Sequence, residues 1–327
     1  MTRLGRFAWS VVTYDVLVAA WGAYVRATGS GAGCGRHWPL CNGEVVPRRP
    51  RVETLVELSH RVTAGGALVL TAVLAVWAVR AFPRGHRVRR AALSAAAFMG
   101  AEALIGAALV LFELTSHDAS AKRALSVSLH LVNTFLLLGS TALAAFWASG
   151  GAPIRLRRQG ALAWAVGVPL AAMVVVGASG ALAALGDTLF PATSLAAGLA
   201  RDMAPDAHWF VRLRALHPLV AAATATLVVV SASVVRALRP APAVRALSRV
   251  ATALVVAQVG AGLLDIMLLA PVWMQMAHLV LADATWIALV LTAAAALSPR
   301  PQPQPQPRPA AIDAGAIASA ARDRAAR

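Results

Sequence analysis

The chain has 327 residues, 59% of them hydrophobic and only 13% charged, with a formal net charge of +16. A soluble domain carries roughly 25% charged residues, so a water-soluble globule is excluded. The basic residues are dispersed among short segments between apolar runs instead of forming one face, which excludes nucleic acid as the partner this charge serves.

Apolar runs of about 20 residues recur at roughly 8–27, 55–80, 91–114, 124–149, 160–185, 213–237, 247–270 and 273–297, each able to cross about 30 Å of hydrocarbon at 1.5 Å per residue. The expectation is an all-α integral membrane protein with eight transmembrane helices in the lipid bilayer, because uninterrupted runs of this length specify helices and not a barrel. The first run is too long for a secretory leader, and no small-x-small cleavage site ahead of a soluble domain follows it, so it counts as a span. Arginines gather in alternate connections: Arg3 and Arg6 before the first span, Arg80 to Arg90 after the second, Arg155 to Arg158 after the fourth, and Arg236 to Arg249 after the sixth. The positive-inside rule makes that side the cytoplasm, which places both termini there and the chain in the plasma membrane. Residues 299–327, a Pro/Gln/Arg stretch with an Ala-rich end, are expected to be a disordered cytoplasmic tail.

Between the first two spans, residues 28–54 form an outer loop holding both cysteines of the chain, Cys34 and Cys41. Outside the reducing cytoplasm a disulfide between them is allowed, as a staple or as a redox-active pair. Cys34, His37 and Cys41 match no standard zinc spacing. No Cys-x-x-Cys-His is present for covalent haem attachment. The "TGSGAG" glycines follow no strand and open no helix, so they carry no dinucleotide signal.

Of the eight histidines, His37, His86, His117 and His208 fall in or beside connections, while His60, His130, His217 and His278 fall one in each even-numbered span. All four lie one to two turns from the outer start of their helix, hence at a similar depth. Imidazoles are costly in hydrocarbon unless paired or ligating. Two of them facing each other across a bundle are natural axial ligands for an iron porphyrin, so two pairs would hold two haems.

The spacings 130 − 60 = 70 and 278 − 217 = 61 suggest a duplication: a four-helix bundle over 1–150 and a second, pseudo-symmetric one over 151–298. Glu102 with Gly106 echoes Gln258 with Gly262, and "GAYVRATG" of the first span echoes "GALAALG" of the fifth. Glu57 stands three residues before His60 on the same helix face, whereas Arg214 precedes His217. A carboxylate in one half alone suggests chemistry in the first half and a resident cofactor in the second.

The segments "GAYVRATGSGAGCGRHWPLCNGEVVP", "ELSHR", "SLHLVNT", "ALHPL" and "QMAHLVLADATW" resemble those of the haem A synthase family over about residues 8–297. The resemblance implies oxidation of one methyl group of haem O to the formyl group of haem A. It implies that Glu57, His60 and His130 serve the substrate haem, that His217 and His278 ligate a bound haem b, and that Cys34 and Cys41 form a disulfide. It implies haem O synthase and the terminal oxidase assembly as partners; a homo-oligomer is left open. His37 stands where many members have an aspartate, so that position carries no assigned role.

On the residues themselves, Glu57 is the only carboxylate expected near the first histidine pair, as a proton acceptor or else an ion-pair partner of Arg61 or Arg26. Arg26, Arg61, Lys122, Arg123, Arg212 and Arg214 lie at the outer surface, where guanidinium forks suit haem propionates. Asp15, Glu102, Asp265 and Asp283 are expected to hydrogen-bond between helices. The alternative to an enzyme is a di-haem b-type electron-transfer cytochrome using the same four histidines.

Overall fold

The computed structural model describes residues 1–116 and 118–299. The expected tail, apart from Pro299, and His117 lie outside the described residues.

Among the described residues, nine α-helices run in the order α1 (Arg3–Ala27), α2 (Val52–Ala81), α3 (Arg87–Leu111), α4 (Ala121–Ala148), α5 (Ala161–Leu189), α6 (Leu195–Asp202), α7 (Trp209–Leu238), α8 (Pro242–Met267) and α9 (Val272–Ala296). All but the eight-residue α6 are long and apolar enough to cross a membrane, so the chain is a multi-pass membrane protein of eight spans. Polar residues set the helix starts. Thr2 caps α1 by accepting from Gly5 N at 2.9 Å, Ser120 caps α4 by accepting from Arg123 N at 3.2 Å, and the His86 imidazole caps α3. Pro242 opens α8, where a missing N–H costs nothing.

Each half closes on itself. α1 packs on α2, α2 on α3, α3 on α4, and α4 returns to α1; α5, α7, α8 and α9 form the same closed circuit. The halves meet through α1 and α4 on one side and α5 and α9 on the other. Exchanging α1 with α5 and α4 with α9 maps this interface onto itself, which is consistent with a duplicated bundle. Its centre is the stack of Phe135 (α4) on Trp286 (α9), with ring centroids 5.1 Å apart, and the indole N–H donates to the Phe135 carbonyl at 2.5 Å.

The short connections 82–86, 149–160 and 239–241 lie at the end of the bundle that holds the N-terminus: Thr2 Oγ1 donates to Ala148 O, and Arg155 N to Leu297 O. The opposite end carries the cysteine loop, residues 112–116 and 118–120, and the connection containing α6.

Candidate functional site

His60, His130, His217 and His278 sit 8, 9, 8 and 6 residues after the first residue of α2, α4, α7 and α9, by subtraction from Val52, Ala121, Trp209 and Val272. At 1.5 Å per residue this is one level, about 9–14 Å below the loop end. His60 and His130 lie within electrostatic reach of each other, and so do His217 and His278. The structure thus brings the four together by halves.

Each ring is set against a glycine of the neighbouring helix. A Cβ on Gly22 would stand 3.0 Å from His60 Cε1, on Gly180 3.1 Å from His217 Cε1, and on Gly262 3.0 Å from His278 Cε1; on Gly106 it would stand 3.9 Å from His130 Nε2. Gly22 and Gly180 head the two echoing stretches of the first and fifth spans, and Gly106 and Gly262 belong to the other echo. Gly22 of α1, Gly180 of α5 and Gly262 of α8 are therefore the places where a helix makes room for an imidazole, while Gly106 of α3 only borders one.

The surroundings of the rings differ. Ser179 Oγ lies 2.9 Å from His217 Nδ1, and Gln258 Nε2 lies 3.1 Å from His278 Nε2. Glu102 Oε1 lies 3.0 Å from His130 Nδ1. His60 Nδ1, His130 Nδ1 and His278 Nδ1 are buried without a well-aligned hydrogen bond among the described residues, His130 Nδ1 although Glu102 Oε1 stands 3.0 Å away. Buried imidazoles without a well-aligned hydrogen bond, in rings bordered by glycine, are of the chemistry that can ligate an iron porphyrin.

Glu57 faces elsewhere. Its Oε2 accepts the backbone N–H of Cys34 at 2.8 Å, and its Oε1 pairs with Arg61 at 2.5 Å. Arg61 also donates to the carbonyls of His37 at 2.5 Å and Leu40 at 2.6 Å. The sequence places Glu57 as the lone carboxylate of the first pair; the structure corrects this, because Glu102 is the carboxylate in contact with an imidazole. The i,i+4 spacing of Glu57 and Arg61 turns both toward the loop, which carries the backbone groups that satisfy them. Cys34 and Cys41 are disulfide-bonded and fully buried.

The basic residues are engaged by protein atoms. Arg26 donates to Ala184 O and Thr188 Oγ1 of α5 at 2.7 Å each and to Gln275 Oε1 of α9 at 2.8 Å. Arg123 holds the carbonyls of Ser116 and Asp118 at 2.6 and 2.8 Å. Arg214 pairs with Asp187 at 3.0 Å and with Asp202. Arg212 meets the Pro205 carbonyl, and Lys122 is exposed. Asp15 and Asp283 are buried, yet neither carboxylate finds a partner among the described residues, so the expected inter-helix bonds are absent there. Their neighbours Val16 and Ala282 belong to the apolar packing around Phe135 and Trp286, where the Trp286 indole N–H is already taken by the Phe135 carbonyl.

A family profile described as cytochrome oxidase assembly protein, COX15-CtaA, matches residues 5–290. Proteins named protoheme IX farnesyltransferase in two strains of Thermus thermophilus are 51% identical over 292 residues, 89% of this chain and 48% of theirs. A protein named heme A synthase in Bacillus mycoides is 40% identical over 113 residues, 34% of this chain and 36% of its own length. The chain spans about half the length of the Thermus relatives it matches.

Proposed function

The chain belongs to the COX15-CtaA family of cytochrome oxidase assembly proteins, and from that premise we propose that it is a haem A synthase, oxidising a methyl group of haem O to a formyl group. The observation that carries this reading is the level of four imidazoles, two in each half, every one set against a glycine. His60 and His130 hold the substrate haem and His217 and His278 hold a haem b. A bound iron porphyrin supplies redox chemistry that no side chain can. The reaction is two successive two-electron oxidations, methyl to alcohol and alcohol to hydrated aldehyde; each consumes one water, releases two protons and passes two electrons to an external acceptor, and the hydrate then loses water.

The protein's own residues bind, orient and seal. Glu57 and Arg61 fix the disulfide loop over the first pair, and the arginines of the same end hold the loops that border both pairs. The arginine-rich end faces the cytoplasm of the cell, so the histidine level lies toward the outer leaflet of the plasma membrane. That depth lets the isoprenoid tail of haem O remain among lipid chains.

The farnesyl-transfer name of the Thermus relatives belongs, in this reading, to the half of their length that this chain does not span. Haem O synthase is thus the upstream partner, and the terminal oxidase assembly the downstream one.

Expression alongside a source of haem O, followed by pigment extraction, tests the proposal. A red-shifted formyl haem is expected. Recovery of haem b alone would instead identify an electron-transfer cytochrome. Conversion of haem b plus farnesyl diphosphate to haem O by this chain would overturn the assignment of farnesyl transfer.

A further inference from the structure

Glu102 and Gln258 occupy the same place in the two halves, four residues before Gly106 and Gly262, and each reaches the histidine of the following span at 3.0 and 3.1 Å. They meet different ring nitrogens, Nδ1 of His130 and Nε2 of His278, and differ in charge: a carboxylate only accepts, whereas a neutral amide carries both donor and acceptor. Two more donors hold Glu102. Thr134 Oγ1 donates to its Oε1 at 2.5 Å, and Asn133 Nδ2 donates to its Oε2 and to Phe98 O, the latter at 2.9 Å. Counted from the His-Leu-Val shared by α4 and α9, the counterparts of Asn133 and Thr134 are Leu281 and Ala282, which donate nothing from their side chains. The cage for a carboxylate is therefore built in the first half only.

We propose that Glu102 is the positioning residue that makes the first-half haem site chemically unlike the second. Its Oε1, 3.0 Å from His130 Nδ1, is placed to take that N–H, to fix the ring and to leave Nε2 as an electron-rich ligand, the arrangement by which an outer carboxylate strengthens a metal-bound histidine. Gln258, an uncharged amide against His278 Nε2, gives that ring no carboxylate to strengthen it as a ligand. The first site is thereby biased toward ferric iron relative to the second. This inference rests on the proposed placing of a haem at each histidine pair.

Redox titration of the full-length, haem-loaded protein, followed optically, tests it. The two haems are assigned with His60→Ala and His217→Ala. Glu102→Gln is expected to raise the midpoint of the first-half haem and spare the second; Gln258→Glu is expected to lower the second and spare the first. Glu102→Asp is expected to recover part of the wild-type midpoint. Formyl haem production should fall about 10- to 100-fold in Glu102→Gln. Unmoved midpoints, or both haems shifting together in each variant, would overturn the inference. If Glu102→Gln fails to retain haem, the Gln258→Glu arm decides alone. Midpoints that move as stated in a protein making no formyl haem would remove the proposed function and leave this inference standing.

Discussion

The backbone N–H of Cys34 donates to Glu57 Oε2 at 2.8 Å, so the disulfide loop hangs from a carboxylate one turn away from His60. Arg61 closes the same arrangement by bridging Glu57 to the carbonyls of His37 and Leu40. Two loop hydrogen bonds at about 1 kcal/mol each, plus a buried carboxylate left without its cation, disappear in Arg61→Ala. Local opening of the loop should rise at least about tenfold. A water-soluble reductant with mass-tagging of freed thiols should then reach Cys34 and Cys41 at least that much faster than in the wild type. An unchanged reduction rate would show that the ion pair does not hold the loop.

The glycines opposite the histidines give a prediction with an internal control. Gly22→Ala and Gly262→Ala each bring a Cβ to 3.0 Å of an imidazole, whereas Gly106→Ala meets nothing closer than 3.9 Å. Overpacking of this kind costs about 1–3 kcal/mol, equivalent to roughly 5- to 150-fold in binding. Haem per chain, measured by absorbance, should fall in Gly22→Ala and Gly262→Ala and stay at the wild-type value in Gly106→Ala. Equal loading of all three would mean that ring placement does not govern haem retention.

The eight spans were legible because a membrane helix must be apolar along its whole length, and polar loops mark its ends. The expected span 124–149 and the observed α4 (Ala121–Ala148) differ by three residues at one end and one at the other. The α6 helix was not legible: eight residues with Ala and Gly carry too little apolar length to register as an element. The contact of Glu102 with His130 was half legible. Its echo with Gln258 was visible, but which of Glu57 and Glu102 meets an imidazole depends on how α2 and α3 are rotated about their axes. Glu57 is three residues from His60 in sequence and turns to the loop, while Glu102 is 130 − 102 = 28 residues from His130 and meets it. The same dependence on tertiary partners applies to Arg26, whose guanidinium hydrogen bonds are all made in the other half of the chain.

Arg214 separates a structural from a ligand-binding role. It joins α7 to Asp187 at the end of α5 and to Asp202 at the end of α6. Removing the cation from a half-buried, hydrogen-bonded pair of carboxylates costs about 1.5–3 kcal/mol. Arg214→Ala should therefore lower the melting temperature of the haem-free protein in detergent as well as that of the loaded protein. A loss confined to the loaded protein would return Arg214 to the haem propionates.

The junction of the halves depends on Trp286. Its indole stacks on Phe135, donates to the Phe135 carbonyl, and lies 3.2 Å from the place where a Cβ on Gly139 would stand. Gly177 of α5 closes the other side of the Phe135 ring, with 2.6 Å between its own Cβ position and that ring. Trp286→Ala should cost about 3–5 kcal/mol, because a large buried aromatic leaves a cavity between packed helices. Trp286→Phe keeps the stack and loses one hydrogen bond, a cost of about 1 kcal/mol. The Phe135 carbonyl, four residues before Gly139 in α4, retains its helical partner in either variant, so the two costs should differ by the packing alone. Chemical or thermal unfolding in detergent reads the difference; two variants of equal stability would show that the halves are not joined through this stack.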